Sequence, residues 1–189
     1  DVGQGIDHLR EMAQPYNLDL SRVVVAGHSA GGALALWAAA RGKIDGQSAL
    51  YTPNPLPVQA VFALAPAADL EALEERGSCG NAVGRLMGGT PAEYPERYQA
   101  ASPMQLAPIL VPQTLLIGGQ DFVWAPPGRS YYHRAITLGT EDLRIVDLPD
   151  SGHFEMVSPS TRSWRLVMSA LKETFESMTP LGEADRQVR

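Results

Sequence analysis

The sequence predicts an α/β fold, a mostly parallel sheet flanked by helices. Three observations carry this. Four short apolar runs recur along the chain: SRVVVA at 21–26, VQAVFALA at 58–65, TLLI at 114–117 and LRIVDL at 143–148. Helical patterns stand between them, the alternation that builds parallel sheets. The first run ends in a glycine-rich turn, GHSAGG, that opens directly onto a small-residue helical stretch.

Each element follows in order. Ile6, Leu9, Ala13 and Tyr16 are spaced as one helical stripe, expected to end near 15–17. The consecutive valines of 21–26 suit a strand buried on both faces. Residues 27–32 form a sharp turn, and 33–40 (ALALWAAA) are apolar nearly all round, so that helix is expected to be buried. Residues 42–57, rich in Pro, Asn and Gly, read as loop, and 58–65 as the second strand. The stretch 66–108 breaks the rhythm, with short helices expected near 70–75, 83–87 and 93–99. It is expected as a lid-like excursion over the mouth of the sheet, where such folds bind ligands. The third strand, 114–117, is closed by Gly118 and Gly119. A helix over 128–138 and the fourth strand, 143–148, follow. Ser158 and Pro159 are expected as N-cap and first residue of a last helix, with Trp164, Val167, Leu171 and Phe175 as its stripe. Residues 177–189 are polar and expected as a flexible tail.

The length of 189 residues fits a single domain spanning 1–189. The net charge of −6 and the lack of clustered Lys/Arg exclude an electrostatic nucleic-acid surface. No apolar run reaches the ~20 residues that span a bilayer. The single cysteine, Cys79, excludes an internal disulfide and suits a reducing compartment, so a cytoplasmic location is expected. The first residue is Asp1 and a helix begins at once, so the chain is read as N-terminally incomplete.

Gly27-His28-Ser29-Ala30-Gly31 is a G-x-S-x-G between an expected strand and an expected helix, the arrangement of a nucleophile elbow. So tight a turn crowds the positions two before and two after the serine, so both Gly27 and Gly31 are expected to need to lack a Cβ. Ser29 then projects at a helix N-terminus, where free N–H groups favour developing negative charge, with the Ala30 N–H as an oxyanion donor. A serine nucleophile needs a base, and the base an orienting carboxylate. His153 sits in PDSGHF, just after the last strand, where a sheet delivers side chains to its carboxyl-end crevice. His8 and His133 are expected on helices, and His28 to pack or hydrogen-bond locally. Asp121 directly follows the third strand and is the first choice of acid, with Asp69, Asp147 and Asp150 in reserve. The order Ser29, Asp121, His153 is the chain order of this nucleophile-elbow constellation. No histidine or cysteine spacing suits a metal, Cys79 has no base near it in sequence, and no cofactor is called for. Among the aromatics and Met156, Trp124, Tyr131, Tyr132 and Phe154 could line a substrate pocket; His28, Trp124 and Phe154 are retained as its walls.

The stretches SRVVVAGHSAGGALALWAA, LMGGTPAEYPERYQAASPMQLAP, TLLIGGQDFVWAP and LPDSGHFEMVSP together resemble the α/β-hydrolase superfamily. The likeness runs from about residue 21 to about 171. It falls in the esterase/lipase-like branch of carboxylesterases, feruloyl-esterase-like proteins and kynurenine formamidases. The resemblance implies the C-terminal part of an α/β-hydrolase fold, with nucleophile Ser29, acid Asp121 and base His153. The family's first strands and its His-Gly-Gly oxyanion loop have no counterpart in the chain, which leaves the strand at 21–26 as an apolar sheet edge.

The reading that follows is a serine hydrolase of small-molecule carboxylic esters, working through an acyl-enzyme. Amides stay open, as an arylformamidase or peptidase with the same triad. A catalytically silent binding module of the same fold is the reading from a different class. Homo-oligomerisation is left open.

Overall fold

A computed structural model describes residues 1–178. Two short helices open it, α1 (Val2–Asp7) and α2 (Leu9–Tyr16), and Asn17 in the left-handed region ends the second. Strand β1 (Val24–His28) leads into α3 (Ala30–Ala40). After β2 (Ala60–Leu64) come α4 (Leu70–Glu75), α5 (Ser78–Met87), α6 (Pro95–Ala101) and α7 (Pro103–Leu106). Then β3 (Gln113–Gly118), α8 (Ala125–Thr137), β4 (Leu143–Leu148) and α9 (Arg162–Ser177) complete the order. The expected flexible tail lies outside the described residues from 179 on, and Ser177 closes α9.

The four strands pair in parallel in the order β1-β2-β3-β4. Period-two alternation divides the central strands between two cores. Val61, Ala63, Leu115 and Ile117 pack with Ala35 and Leu36 of α3 and Tyr131 and Ala135 of α8. Phe62, Leu64, Leu116 and Leu148 pack on the other face with Val167 and Ala170 of α9. Every residue of β2 and β3 is buried, as expected of inner parallel strands.

β1 departs from the double burial its valines suggest and agrees with the apolar sheet edge expected from the resemblance: Ala26 is exposed and the rest of the strand is only partly covered. The cause is topological. β1 is the edge strand of the described sheet, bonded to β2 alone. The last helix begins at Arg162, not at Pro159, because Thr161 and not Ser158 caps it. Thr161 Oγ1 accepts the Trp164 amide at 3.1 Å, while Ser158 Oγ turns to Ser160. Its buried stripe is Ser163, Val167, Ala170 and Thr174, and Phe175 stays exposed. Tyr16 is likewise exposed; of the first stripe, Ile6 packs on the core and Leu9 and Ala13 are half-buried.

Between β2 and β3, four short helices pack through two small clusters: Leu70, Met87 and Tyr98 form one, and Leu73 and Ala67 form another with Ala33 of α3. The start of α5 is not regular helix: Gly77, Cys79, Gly80 and Asn81 all take the left-handed conformation. α1 is tied down by charge. Arg41, 2% exposed, donates to both oxygens of Asp7 at 2.8 and 2.7 Å, and Asp7 also accepts the Leu56 amide. Among the described residues no helix is long and apolar enough to cross a membrane.

Candidate active site

Parallel strands place their carboxyl ends on one edge of a sheet, and the loops that leave that edge converge there. Ser29 follows β1, Asp121 follows β3, and His153 follows β4.

Ser29 has φ 59° and ψ −119°, a conformation an L-residue enters only under constraint. The constraint is visible. Its N–H donates to the Leu64 carbonyl at 2.9 Å, and its own carbonyl accepts the Ala33 and Ala67 amides, each at 3.1 Å. The glycines divide their roles differently from the expectation. A Cβ on Gly27 would stand 2.0 Å from the Gly31 carbonyl oxygen, so Gly27 is obligatory. A Cβ on Gly31 would meet nothing within 4 Å. The second crowded position is Gly32, whose Cβ would lie 3.0 Å from Pro66 Cα and 3.2 Å from the Gly27 oxygen. The reason is that Gly31 contributes the carbonyl that crowds Gly27, while Gly32 faces the chain leaving β2. Ala30 is the first residue of α3, so its N–H has no helical acceptor.

Asp121 is buried at 5% exposure, and both its oxygens are used. Oδ2 lies 2.6 Å from His153 Nδ1, and Oδ1 accepts the Trp124 amide at 3.1 Å. The loops carrying the two residues pack backbone to backbone. A Cβ on Gly118 would come within 2.6 Å of the Ser151 oxygen, and one on Gly119 within 2.7 Å of the Pro149 oxygen. Two hydrogen bonds stitch the same contact, Gln120 N–H to Ser151 O and Gly119 N–H to Leu148 O. Gly118 and Gly119 therefore do more than end a strand: without side chains they admit the histidine loop. The reserve acids stand elsewhere. Asp69 caps α4 by accepting the Ala72 amide, Asp147 pairs with Arg129, and Asp150 is exposed.

A cavity of about 350 Å³ brings Ser29, Asp121 and His153 together with His28, Trp124 and Phe154. Among the described residues no hydrogen bond joins Ser29 Oγ to His153, which leaves the two as neighbours across this cavity. The indole of Trp124 stacks on the His153 ring, with centroids 5.3 Å apart and planes at 27°. Phe154 meets it edge-on at 5.0 Å. His28 was expected to bond locally, and its partner is instead 125 residues away: Nε2 lies 2.8 Å from the His153 carbonyl oxygen. Since a carbonyl only accepts, this nitrogen is the donor. Burial pushes the His28 imidazole below its ordinary pKa. Tyr131 and Met156 are fully buried in the two cores, and Tyr132 packs against the first, so these three line no pocket here. His8 pairs with Glu11 on the surface, and His133 is exposed on α8. Cys79, set aside in sequence for want of a base, is carried by the left-handed start of α5 to the cavity wall. A second, larger cavity of about 1540 Å³ also opens on Ser29 and Ala30, and Ala33, Leu34, Leu73 and Val83 give it an apolar lining. Among the described residues no group of three or more His, Cys, Asp or Glu could hold a metal ion.

The profile of the BD-FAE family matches residues 1–131. No curated protein sequence matches the chain. Solved structures do. A thermophilic esterase from Thermogutta terrifontis, propionate-bound, superimposes with a TM-score of 0.70 at 18% identity, covering 96% of this chain and 66% of that one. The acylaminoacyl peptidase of Pyrococcus horikoshii gives 0.67 at 19% identity over 96% and 29%. The bifunctional GH43-CE protein of Bacteroides eggerthii gives 0.73 at 19% identity over 95% and 26%. The chain spans less than two thirds of each of these structures, and at such identities the likeness is one of fold.

Proposed function

Given that the chain belongs to the BD-FAE family and has an α/β-hydrolase fold, we propose that it is a serine hydrolase cleaving carboxylic esters through an acyl-enzyme. Ser29 Oγ attacks the ester carbonyl. His153 takes the hydroxyl proton through Nε2 and returns it to the leaving alcohol. Asp121 holds the other ring nitrogen, fixing the tautomer that leaves Nε2 free to accept. The tetrahedral oxyanion is received by the Ala30 N–H at the start of α3, where the helix field also favours it. Water, activated by the same imidazole, then releases the acid. Trp124, Phe154 and His28 wall the reacting centre, and residues 66–108 act as a lid-like cover of the single domain. The substrate is a small molecule, and no cofactor enters the scheme.

One observation carries this reading: the 2.6 Å contact between Asp121 and His153, on the wall of a cavity that also holds Ser29 in its strained turn. Amide hydrolysis, as arylformamidase or peptidase, uses the same groups. What supports keeping it is the peptidase among the structural relatives. A panel of short-chain aryl esters, an arylformamide and an acylated peptide anilide separates these. Ester turnover well above the other two is the expected result, and turnover confined to an amide would replace the ester reading. A chain that turns over none of the three and takes up no phosphonate at Ser29 would instead be a silent module of the same fold.

A further inference from the structure

We propose that His28 is a positioning residue that sets the distance between the nucleophile and the base, by hydrogen bonding the backbone carbonyl of His153. The proposal rests on the serine-hydrolase reading and deepens it.

The geometry is specific. His28 is the last residue of β1 and is bonded covalently to Ser29. Its Nε2–H donates at 2.8 Å to the carbonyl of His153 itself, not of a neighbour in the loop. The two imidazoles stand with centroids 4.5 Å apart and planes tilted by 45°, and Phe154 lies 6.0 Å from the His28 ring. One end of this link is thus fixed at the nucleophile and the other at the base. The other restraints on His153 come from a different side: Asp121 on its Nδ1, and the Gly118–Gly119 contact with residues 149–152. Those tie the base to β3. Only His28 among these contacts ties it to β1, the strand that carries Ser29. With no direct hydrogen bond between Ser29 Oγ and His153 in this state, the His28 link registers the two before substrate arrives.

The chemistry of the residue fits this task. The link needs a donor, so a neutral imidazole protonated on Nε2 suffices. A neutral ring also avoids placing a second cation beside His153 when that residue carries the proton during acylation. Burial favours the neutral form of His28.

Asparagine and glutamine test the link, because both are polar and both discard the ring. The glutamine amide nitrogen occupies about the place of Nε2, whereas that of asparagine falls one methylene short. In His28→Asn, kcat for an aryl ester is expected to fall about tenfold to 100-fold, as for a misplacement of the order of 1 Å. The loss should fall mainly on kcat, with KM moving less than kcat, although His28 also lines the cavity. In His28→Gln, most of the lost kcat is expected to return. Equal kcat in the two variants, or a loss carried by KM, overturns the proposal while leaving the hydrolase reading intact.

A second readout needs no turnover. The proton shared by His153 Nδ1 and Asp121 gives a far-downfield NMR signal. It should broaden in His28→Asn and stay sharp in His28→Gln, and a sharp signal in both overturns the proposal. Should His28→Asn fail to fold, His28→Leu replaces it as the variant without a donor. If the wild-type chain turns over an amide and no ester, the kinetic comparison is made on the amide. If it turns over neither and takes up no phosphonate, the hydrolase reading falls and the NMR comparison alone decides the role of His28.

Discussion

Asp121 and His153 meet through a 2.6 Å contact between Oδ2 and Nδ1, although 32 residues separate them. The contact exists because two side-chain-free positions, Gly118 and Gly119, let the loop after β4 settle onto the loop after β3. The second carboxylate oxygen is occupied by the Trp124 amide, so Asp121 is held in place by the helix it precedes.

This arrangement predicts which acid matters. Asp121→Asn keeps the shape but stabilises the wrong tautomer of His153, and kcat is expected to drop by about 10⁴-fold. Asp147→Asn removes only an exposed pair with Arg129, and kcat should stay within about twofold of wild type. Steady-state kinetics on an activated ester decide it, and an Asp147 effect as large as that of Asp121 would reassign the acid.

The three elbow glycines should behave in graded fashion. Gly27→Ala drives a Cβ into the Gly31 carbonyl and is expected to cost about 3 kcal/mol, with loss of the elbow. Gly32→Ala, tight against Pro66, should cost less. Gly31→Ala meets open space and lies in the first turn of α3, so it should be neutral or stabilising by about 0.5 kcal/mol. Urea denaturation of the three variants reads the series, and a Gly31→Ala loss comparable to that of Gly27→Ala would contradict it.

The Asp7–Arg41 pair predicts a pH-dependent term in stability. Arg41 beside it, together with the Leu56 amide, holds the Asp7 carboxyl below its usual value of 3.8. A depressed carboxylate contributes stability that is full above the unfolded pKa and is lost as pH falls through the folded one. Asp7→Asn should therefore cost about 3 kcal/mol near pH 7, because it strips a buried guanidinium of its charge partner. The gap to wild type should narrow below about pH 3.8. Unfolding midpoints at three pH values measure this, and a gap independent of pH would refute the electrostatic origin.

His28 predicts a term of the same direction in a higher window. Burial lowers its pKa from 6.5; the hydrogen bond to the His153 carbonyl opposes this, the His153 ring charge adds to it and Asp121 opposes it. The unfolded chain then binds the proton more readily, so this contribution to stability is full above pH 6.5 and declines as pH falls below it. In His28→Gln the slope of stability against pH just below 6.5 should be flatter than in wild type. Thermal melts across that range give the comparison, and an unchanged slope would mean that His28 is not the group responsible.

Much of this was legible in sequence because it is local. LRIVDL is bounded on both sides by turn residues, and β4 spans that run; LEALEE likewise became α4. The convergence of Ser29, Asp121 and His153 follows from where parallel strands end. What was not legible depends on neighbours distant in the chain. The valines of β1 by their composition alone look doubly buried; it is the resemblance, through its missing upstream strands, that marks them as an edge, and the strand order agrees. Ser158-Pro159 carries the composition of a helix start, but the bonds of Thr161 decide the cap. The need for Gly32 rather than Gly31 rests on the position of Pro66, and the partner of His28 on a loop 125 residues away.

The most direct test is covalent labelling by a fluorophosphonate probe, which requires a nucleophilic serine beside a working base and an oxyanion site. The folded wild-type chain is expected to label at Ser29, Ser29→Ala not at all, and His153→Ala far more slowly than wild type. A folded wild-type chain that takes up no probe, or labelling that survives Ser29→Ala, would contradict Ser29 as the nucleophile of a serine hydrolase.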